Sequence, residues 1–217
     1  MKSNIFLKVI IFCCFFVGIQ NSLASPISRE DALSFAKTKG EELLLSFQEP
    51  DLNKRYQLLD DLFIRYVDVD YISKFVIGKY WRTMTKEQQE SYRQIFNRYC
   101  LAYYKTLPLD FASKINYEVI DAAIDGNFTA ISAVVHINNN PQNIQDVALV
   151  FRVHETNGTI KVVDVKIAES SMLLVYRSKF YQMITQDEEE IDWFLEDLED
   201  TTRSWEESLK QKSLQEI

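Results

Sequence analysis

The chain has 217 residues, 47% of them hydrophobic, with 32 acidic against 24 basic side chains and only five glycines. That length allows one substantial domain with a real core. A formal net charge of −8 repels phosphate backbones and anionic membrane surfaces at long range, which argues against a nucleic-acid partner, and so few glycines leave little room for a phosphate-cradling loop.

Lys2 and Lys8 make a positive start, Val9 to Ile19 is an apolar run without a charge, and Ser22-Leu23-Ala24 offers small residues where a signal peptidase reads. The run is too short to span a bilayer comfortably. The expectation is a cleaved signal peptide over residues 1–24 and a single domain over 25–217. Cys13 and Cys14 would leave with the peptide, and Ile11-Phe12 before them are not the small residues of a lipoprotein site. Without Lys2 and Lys8 the remainder carries 22 basic residues against 32 acidic, a net of −10. Its one cysteine, Cys100, has no partner for an intramolecular disulfide, and an exported yet unstapled domain suggests a bacterial periplasm.

Ser28 followed by Arg29-Glu30-Asp31 reads as a helix start, with Ala32, Phe35, Ala36, Leu43, Leu44 and Phe47 on its apolar side until Pro50 ends it. A second helix runs from Asp51 through Leu58, Leu59, Leu62 and Phe63 to Tyr66. Both read as packing helices. Asp68 caps a short helix carrying Ile72, Phe75, Val76 and Tyr80, with Gly78 inside it for a close backbone approach. Thr85 and Gln88 form a capping-box pattern ahead of a helix in which Tyr92, Ile95, Phe96, Tyr99 and Tyr103 make a continuous stripe up to Leu107-Pro108.

The period then changes to two. Four runs alternate, Ile115 to Ile124, Phe128 to Ile137, Ile144 to Val153 and Thr159 to Ile167, separated by turn residues such as Asp125-Gly126-Asn127 and Asn157-Gly158. Connections that short join antiparallel neighbours. In the last run Val163, Val165 and Ile167 share one face, and Val162, Asp164 and Lys166 the other. After Glu169-Ser170-Ser171 a helical period returns in Met172, Val175, Tyr176 and Lys179. An acidic C-terminal helix, about residues 187–217, keeps the stripe Ile191, Phe194, Leu195, Leu198, Trp205 and Leu209. The predicted fold is α+β: a four-stranded antiparallel meander packed against N-terminal helices and a C-terminal helical segment, with an apolar cavity between sheet and helices.

Catalysis has little to work with. His136 and His154 stand on strands at positions where polar residues face outward. There is no CxxC pair, HExxH or GxSxG, and the runs Asp60-Asp61 and Glu188-Glu189-Glu190 are sequence neighbours that do not face each other on a helix. Cys100, flanked by Tyr99, Leu101 and Ala102, reads as a buried structural thiol. No catalytic residue, metal ligand set or cofactor site is expected. The asparagines of Asn127-Phe128-Thr129 and Asn157-Gly158-Thr159 match glycosylation acceptors but equally serve hairpin turns. What remains is an excess of aromatic residues, 11 tyrosines and 14 phenylalanines, which fits either a filled core or a ligand cavity.

The segments Phe75-Val76-Ile77-Gly78-Lys79-Tyr80-Trp81-Arg82, Thr85-Lys86-Glu87-Gln88, Val163-Asp164-Val165 and Tyr176-Arg177-Ser178-Lys179-Phe180, in that order, resemble the signatures of the MlaC, or toluene-tolerance auxiliary, family, over about Ser28 to Leu198. Glu169 stands where the family usually has glycine and Ile160 where it usually has tryptophan. The resemblance implies a monomeric periplasmic carrier that holds phospholipid by its acyl chains. It would exchange lipid between an outer-membrane lipoprotein complex and an inner-membrane ABC transporter complex, in maintenance of outer-membrane lipid asymmetry. A hopanoid or another apolar ligand of the same family, or a ligand-free transporter adaptor, are the alternatives. By matching positions, the expected lipid-binding wall is Phe75, Tyr80, Trp81, Phe96, Tyr99, Tyr103, Val163, Val165, Tyr176 and Phe180; Val147, Leu149, Phe151 and Val153, which share one strand face, are the expected floor. Arg177 is expected to be a structural partner, for Asp164, rather than a phosphate ligand.

Overall fold

Capping side chains set the helix starts. The structure, a computed structural model, describes residues 24–106, 115–137 and 146–215. Ser28 opens α1 (Arg29–Phe47) by accepting from the Asp31 amide at 3.1 Å. Asp51 opens α2 (Leu52–Tyr66) through the Lys54 amide, and Asp68 opens α3 (Val69–Ile77) through the Tyr71 amide, each at 2.9 Å. Ahead of α4 (Lys86–Thr106), the Gln88 amide donates to Thr85 Oγ1 at 3.1 Å while the Thr85 amide donates to Gln88 Oε1 at 2.9 Å, the reciprocal capping box. Leu107-Pro108 lie outside the described residues.

Gly78 does not sit inside a helix. It ends α3 at φ +54° and opens a 3-10 turn, Gly78–Arg82. The close approach is there all the same: a Cβ on Gly78 would lie 2.2 Å from the Tyr181 hydroxyl and 2.8 Å from Arg177 Nη2.

The sheet is an antiparallel meander in the order β1 (Ile115–Asp125), β2 (Phe128–Ile137), β3 (Val147–Thr156), β4 (Thr159–Ile167) and β5 (Ser170–Ser171). It has five strands rather than four, because the turn after β4 is made at Ala168, with φ +52°, and the two serines then pair back onto Lys166 and Ile167. The third strand is described from Val147 and reaches Thr156, three residues beyond its predicted end. Two bulges interrupt strict alternation, one between Val119 and Asp121 on β1 and one where the pairing steps from Arg152↔Asp164 to Val153↔Val162. The second leaves Val163 as the extra residue. Val162 therefore shares a face with Val165 rather than opposing it as the alternation predicted.

The helices after the sheet are α5 (Met172–Gln186), capped by Ser171, and α6 (Ile191–Gln215), separated by Glu188 and Glu189 at φ +56° and +63°. The core has two parts. One is an aromatic layer shared by α3, α4, α5 and α6, with Tyr92, Phe96, Tyr99, Phe180 and Phe194 all fully buried. The acidic helix is fastened to it by Arg98, whose guanidinium bonds Glu199 at 2.8 Å and Glu206 at 2.6 Å. The other is a smaller cluster of Ile27, Ala32, Ala122, Ile131 and Val153 between α1 and the sheet.

Three polar residues depart from expectation. His154 is not at the surface: it is 2% exposed, with Nε2 2.7 Å from Asp68 and the ring against Tyr71 and Phe128. His136 is half-exposed beside Asp146, as expected. Arg177 donates to the Phe75 carbonyl at 3.1 Å and to the Tyr181 hydroxyl at 3.0 Å, not to Asp164. Asp164 instead accepts from Ser171 Oγ at 2.7 Å and the Leu173 amide at 3.0 Å, locking the start of α5 to β4.

Candidate ligand cavity

Between α1, α2 and one face of the sheet lies a cavity of about 420 Å3, within the usual span of small-molecule sites, about 300–1,000 Å3. Its helical wall is Phe35, Leu43, Leu44 and Phe47 from α1 and Leu59, Leu62, Phe63, Tyr66 and Val67 from the α2 side, with Tyr104 of α4 closing a corner. With Ala36, Lys39 and Gly40, these α1 residues recur at three- and four-residue intervals, so one face of the helix from Phe35 to Phe47 looks inward.

The floor follows from strand register. Val119, Ala133 and Leu149 form one cross-strand row and Ile131 with Phe151 the next, while Ile115, Tyr117, Val135 and Val162 complete the lining. The cluster of Ile27, Ala122 and Val153 packs against the lining residues Phe35, Val119, Phe151 and Val162. There Thr129 Oγ1 accepts from the Ile27 amide at 3.0 Å and donates to its carbonyl at 2.8 Å, which satisfies a fully buried hydroxyl.

Two tyrosine hydroxyls at the wall are spoken for. The Tyr117 hydroxyl lies 2.8 Å from the Ala36 carbonyl, and Gly40 is what lets it reach there, since a Cβ on Gly40 would sit 2.0 Å from that oxygen. The Tyr104 hydroxyl donates to Asp60, which also pairs with Lys105 at 2.7 Å. Burial first, and the neighbouring carboxylate second, hold the Tyr104 phenol well above its ordinary range, so it remains a neutral donor. Away from Lys39 and Tyr66, the wall thus presents hydrocarbon and aromatic faces to whatever occupies the space.

Of the fourteen residues expected in the wall and floor, Leu149 and Phe151 line this cavity. Val147, Val153 and Val165 share its face, opposite Val135, Thr129 and Phe151 in register, but do not belong to the lining, and Val163 is a buried bulge residue. The structure gathers the other eight elsewhere. Tyr80, Phe96, Tyr99 and Phe180 are buried in the aromatic layer, Phe75, Trp81 and Tyr176 pack against it, and Tyr103 stacks on Tyr99. The physical reason is α6. Its Phe194 lies 5.6 Å from Phe180 and its Trp205 4.9 Å from Tyr99, so the aromatic stripe of α4 is covered by another helix. The two N-terminal helices read as mere packing elements carry the wall instead. Their signal was present in the apolar face running from Phe35 to Phe47, broken only by Lys39 and Gly40.

Residues 42–200 match the family of MlaC proteins. The chain belongs to the MlaC family. Among solved structures, a phospholipid-binding protein from Ralstonia solanacearum, determined in complex with a phospholipid, aligns with a TM-score of 0.63 and 22% identity, over 80% of this chain and 98% of that one. At that identity the likeness speaks for the fold. No curated protein matches the chain. The motif residues of this MlaC-family chain serve architecture: Asp164 anchors α5, Arg177 holds the carbonyl end of α3, and Phe180 fills the aromatic layer.

Proposed function

We propose that the protein is a periplasmic phospholipid carrier, exported by cleavage of residues 1–24, that takes acyl chains into the cavity between α1, α2 and the sheet. It would exchange lipid between an outer-membrane lipoprotein complex and an inner-membrane ABC transporter complex. The observation that carries this reading is an apolar cavity between α1, α2 and the sheet in a chain of the MlaC family.

The physical role is clear from hydrocarbon transfer. Exposing a methylene to water costs about 0.8 kcal/mol, so one long acyl chain crossing an aqueous compartment faces roughly 10 kcal/mol. A cavity as apolar as the bilayer removes most of that barrier and leaves a near-neutral exchange. Binding rather than turnover also suits the side chains present. Burial pushes the Cys100 thiol up to about 12, and neither histidine lines the cavity.

The test is native and denaturing mass spectrometry of the mature protein purified from bacteria. Stoichiometric co-purifying phospholipid supports the carrier, a hopanoid in its place would reassign the cargo, and well-folded protein free of lipid would refute it.

A further inference from the structure

Among the described residues that line the cavity, Lys39 alone carries a charge. Its stem is wall and its ammonium reaches the edge, 4.9 Å from the centre of the Tyr66 ring and 2.5 Å from Glu42. Its side chain keeps 26% of its surface exposed, so the charge stands at a rim rather than in the depth. The guanidinium of Arg65 approaches the same ring at 5.8 Å, and no carboxylate among the described residues pairs with it. Two cations, one from α1 and one from α2, thus approach the same phenol ring, and among the described residues the carboxylate paired with either of them is Glu42. This local excess of positive charge stands in a protein of net charge −8.

Packing does not explain the cluster. Arg65, in the last turn of α2, complements the helix dipole, but Lys39 lies mid-helix on an apolar stripe where leucine would build a better wall. An amphipathic ligand does explain it. A molecule whose tail fills the cavity and whose anionic group emerges between α1 and α2 places that anion beside Lys39, Arg65 and the Tyr66 hydroxyl, where charge-assisted hydrogen bonds are strongest.

We propose that Lys39, Arg65 and Tyr66 form an anion site at the rim of the cavity that takes the phosphodiester of a phospholipid headgroup. The assignment rests on the phospholipid reading above and adds to it the orientation of the lipid and the residues that recognise its head. Glu42 holds Lys39 in place when the site is empty and is partly displaced by the phosphate.

The experiment offers the delipidated mature protein an equal mixture of a phospholipid and the diacylglycerol with the same two chains, from neutral vesicles, and reads the ratio taken up by native mass spectrometry. The wild type is expected to favour the phospholipid, and the double variant K39Q/R65Q to lower the ratio about ten-fold or more. R65Q alone, at an exposed position, should lower it part of the way, and thermal melts confirm that both variants fold. An unchanged ratio in the folded double variant overturns the rim assignment while leaving a tail-binding carrier intact. Uptake of neither lipid by the wild type overturns the carrier as well. Inorganic phosphate is titrated calorimetrically into the same protein. Its binding to the wild type but not to the double variant, without any lipid preference, would make this a free-phosphate site and overturn the headgroup assignment.

Discussion

Gly40 and Tyr117 occupy one another's space: the position a Cβ on Gly40 would take is 2.0 Å from the tyrosine hydroxyl and 2.1 Å from its Cζ. In an ordinary helix interior, replacing glycine by alanine stabilises by up to about 1 kcal/mol. Here Gly40→Ala is expected to destabilise by about 1 to 3 kcal/mol as overpacking drives Tyr117 off the Ala36 carbonyl and into the cavity. In a Tyr117→Ala background the same substitution should become stabilising. Thermal or urea melts of the four proteins read this sign reversal directly, and an additive cycle would contradict the contact.

The cavity can be filled from its floor. Ala133 is 3% exposed and lies between Val119 and Leu149 in the lining row. Ala133→Phe should lower lipid occupancy several-fold while costing less stability than the 1 to 3 kcal/mol typical of overpacking a filled core. Mass spectrometry and a melt on the same sample check both halves.

The aromatic layer should answer in the opposite way. Phe180 is fully buried between α4 and α6 and touches Phe96, Tyr99 and Phe194. Phe180→Ala is expected to cost about 3 to 5 kcal/mol, measured by denaturant unfolding, with the ligand stoichiometry of the surviving folded fraction unchanged.

Cys100 gives a pH signature. Its thiol is pushed from 9.0 to about 12 by burial, so between those values the folded state holds a proton that the unfolded state releases. Stability that is complete below pH 9 is therefore lost progressively as pH rises toward 12. Cys100→Ser should flatten that part of the stability profile. Iodoacetamide at pH 8 should modify the native thiol at least a hundred-fold more slowly than the thiol in urea.

Much of the architecture was legible because local rules were obeyed. Caps at Ser28, Asp51 and Asp68 and the pair Thr85 and Gln88 marked helix starts, and the turns at Gly126 and Gly158, both at positive φ, marked hairpins. The site was less legible because the chain contains two apolar layers and periodicity does not say which is filled. The stripe through Tyr92, Phe96 and Tyr99 is stronger than that of α1, yet it finds a partner 100 residues later in Phe194 and Trp205. Bulges compounded the difficulty. One extra residue at Val163 moves Val162 to the cavity face, which no strict alternation could announce.

The separation of the two layers bears on how such a protein can change over time. Residues that hold the chain together, Tyr92, Phe96, Phe180 and Phe194, are not the residues that face the cavity. Substitutions at lining positions outside both core clusters, such as Leu43, Leu44 and Leu62, can therefore reshape the cavity without loosening that layer, whereas Ile131 belongs to both the lining and the smaller core. For the carrier proposed above, cargo preference is thus adjustable apart from the buttress of α4, α5 and α6.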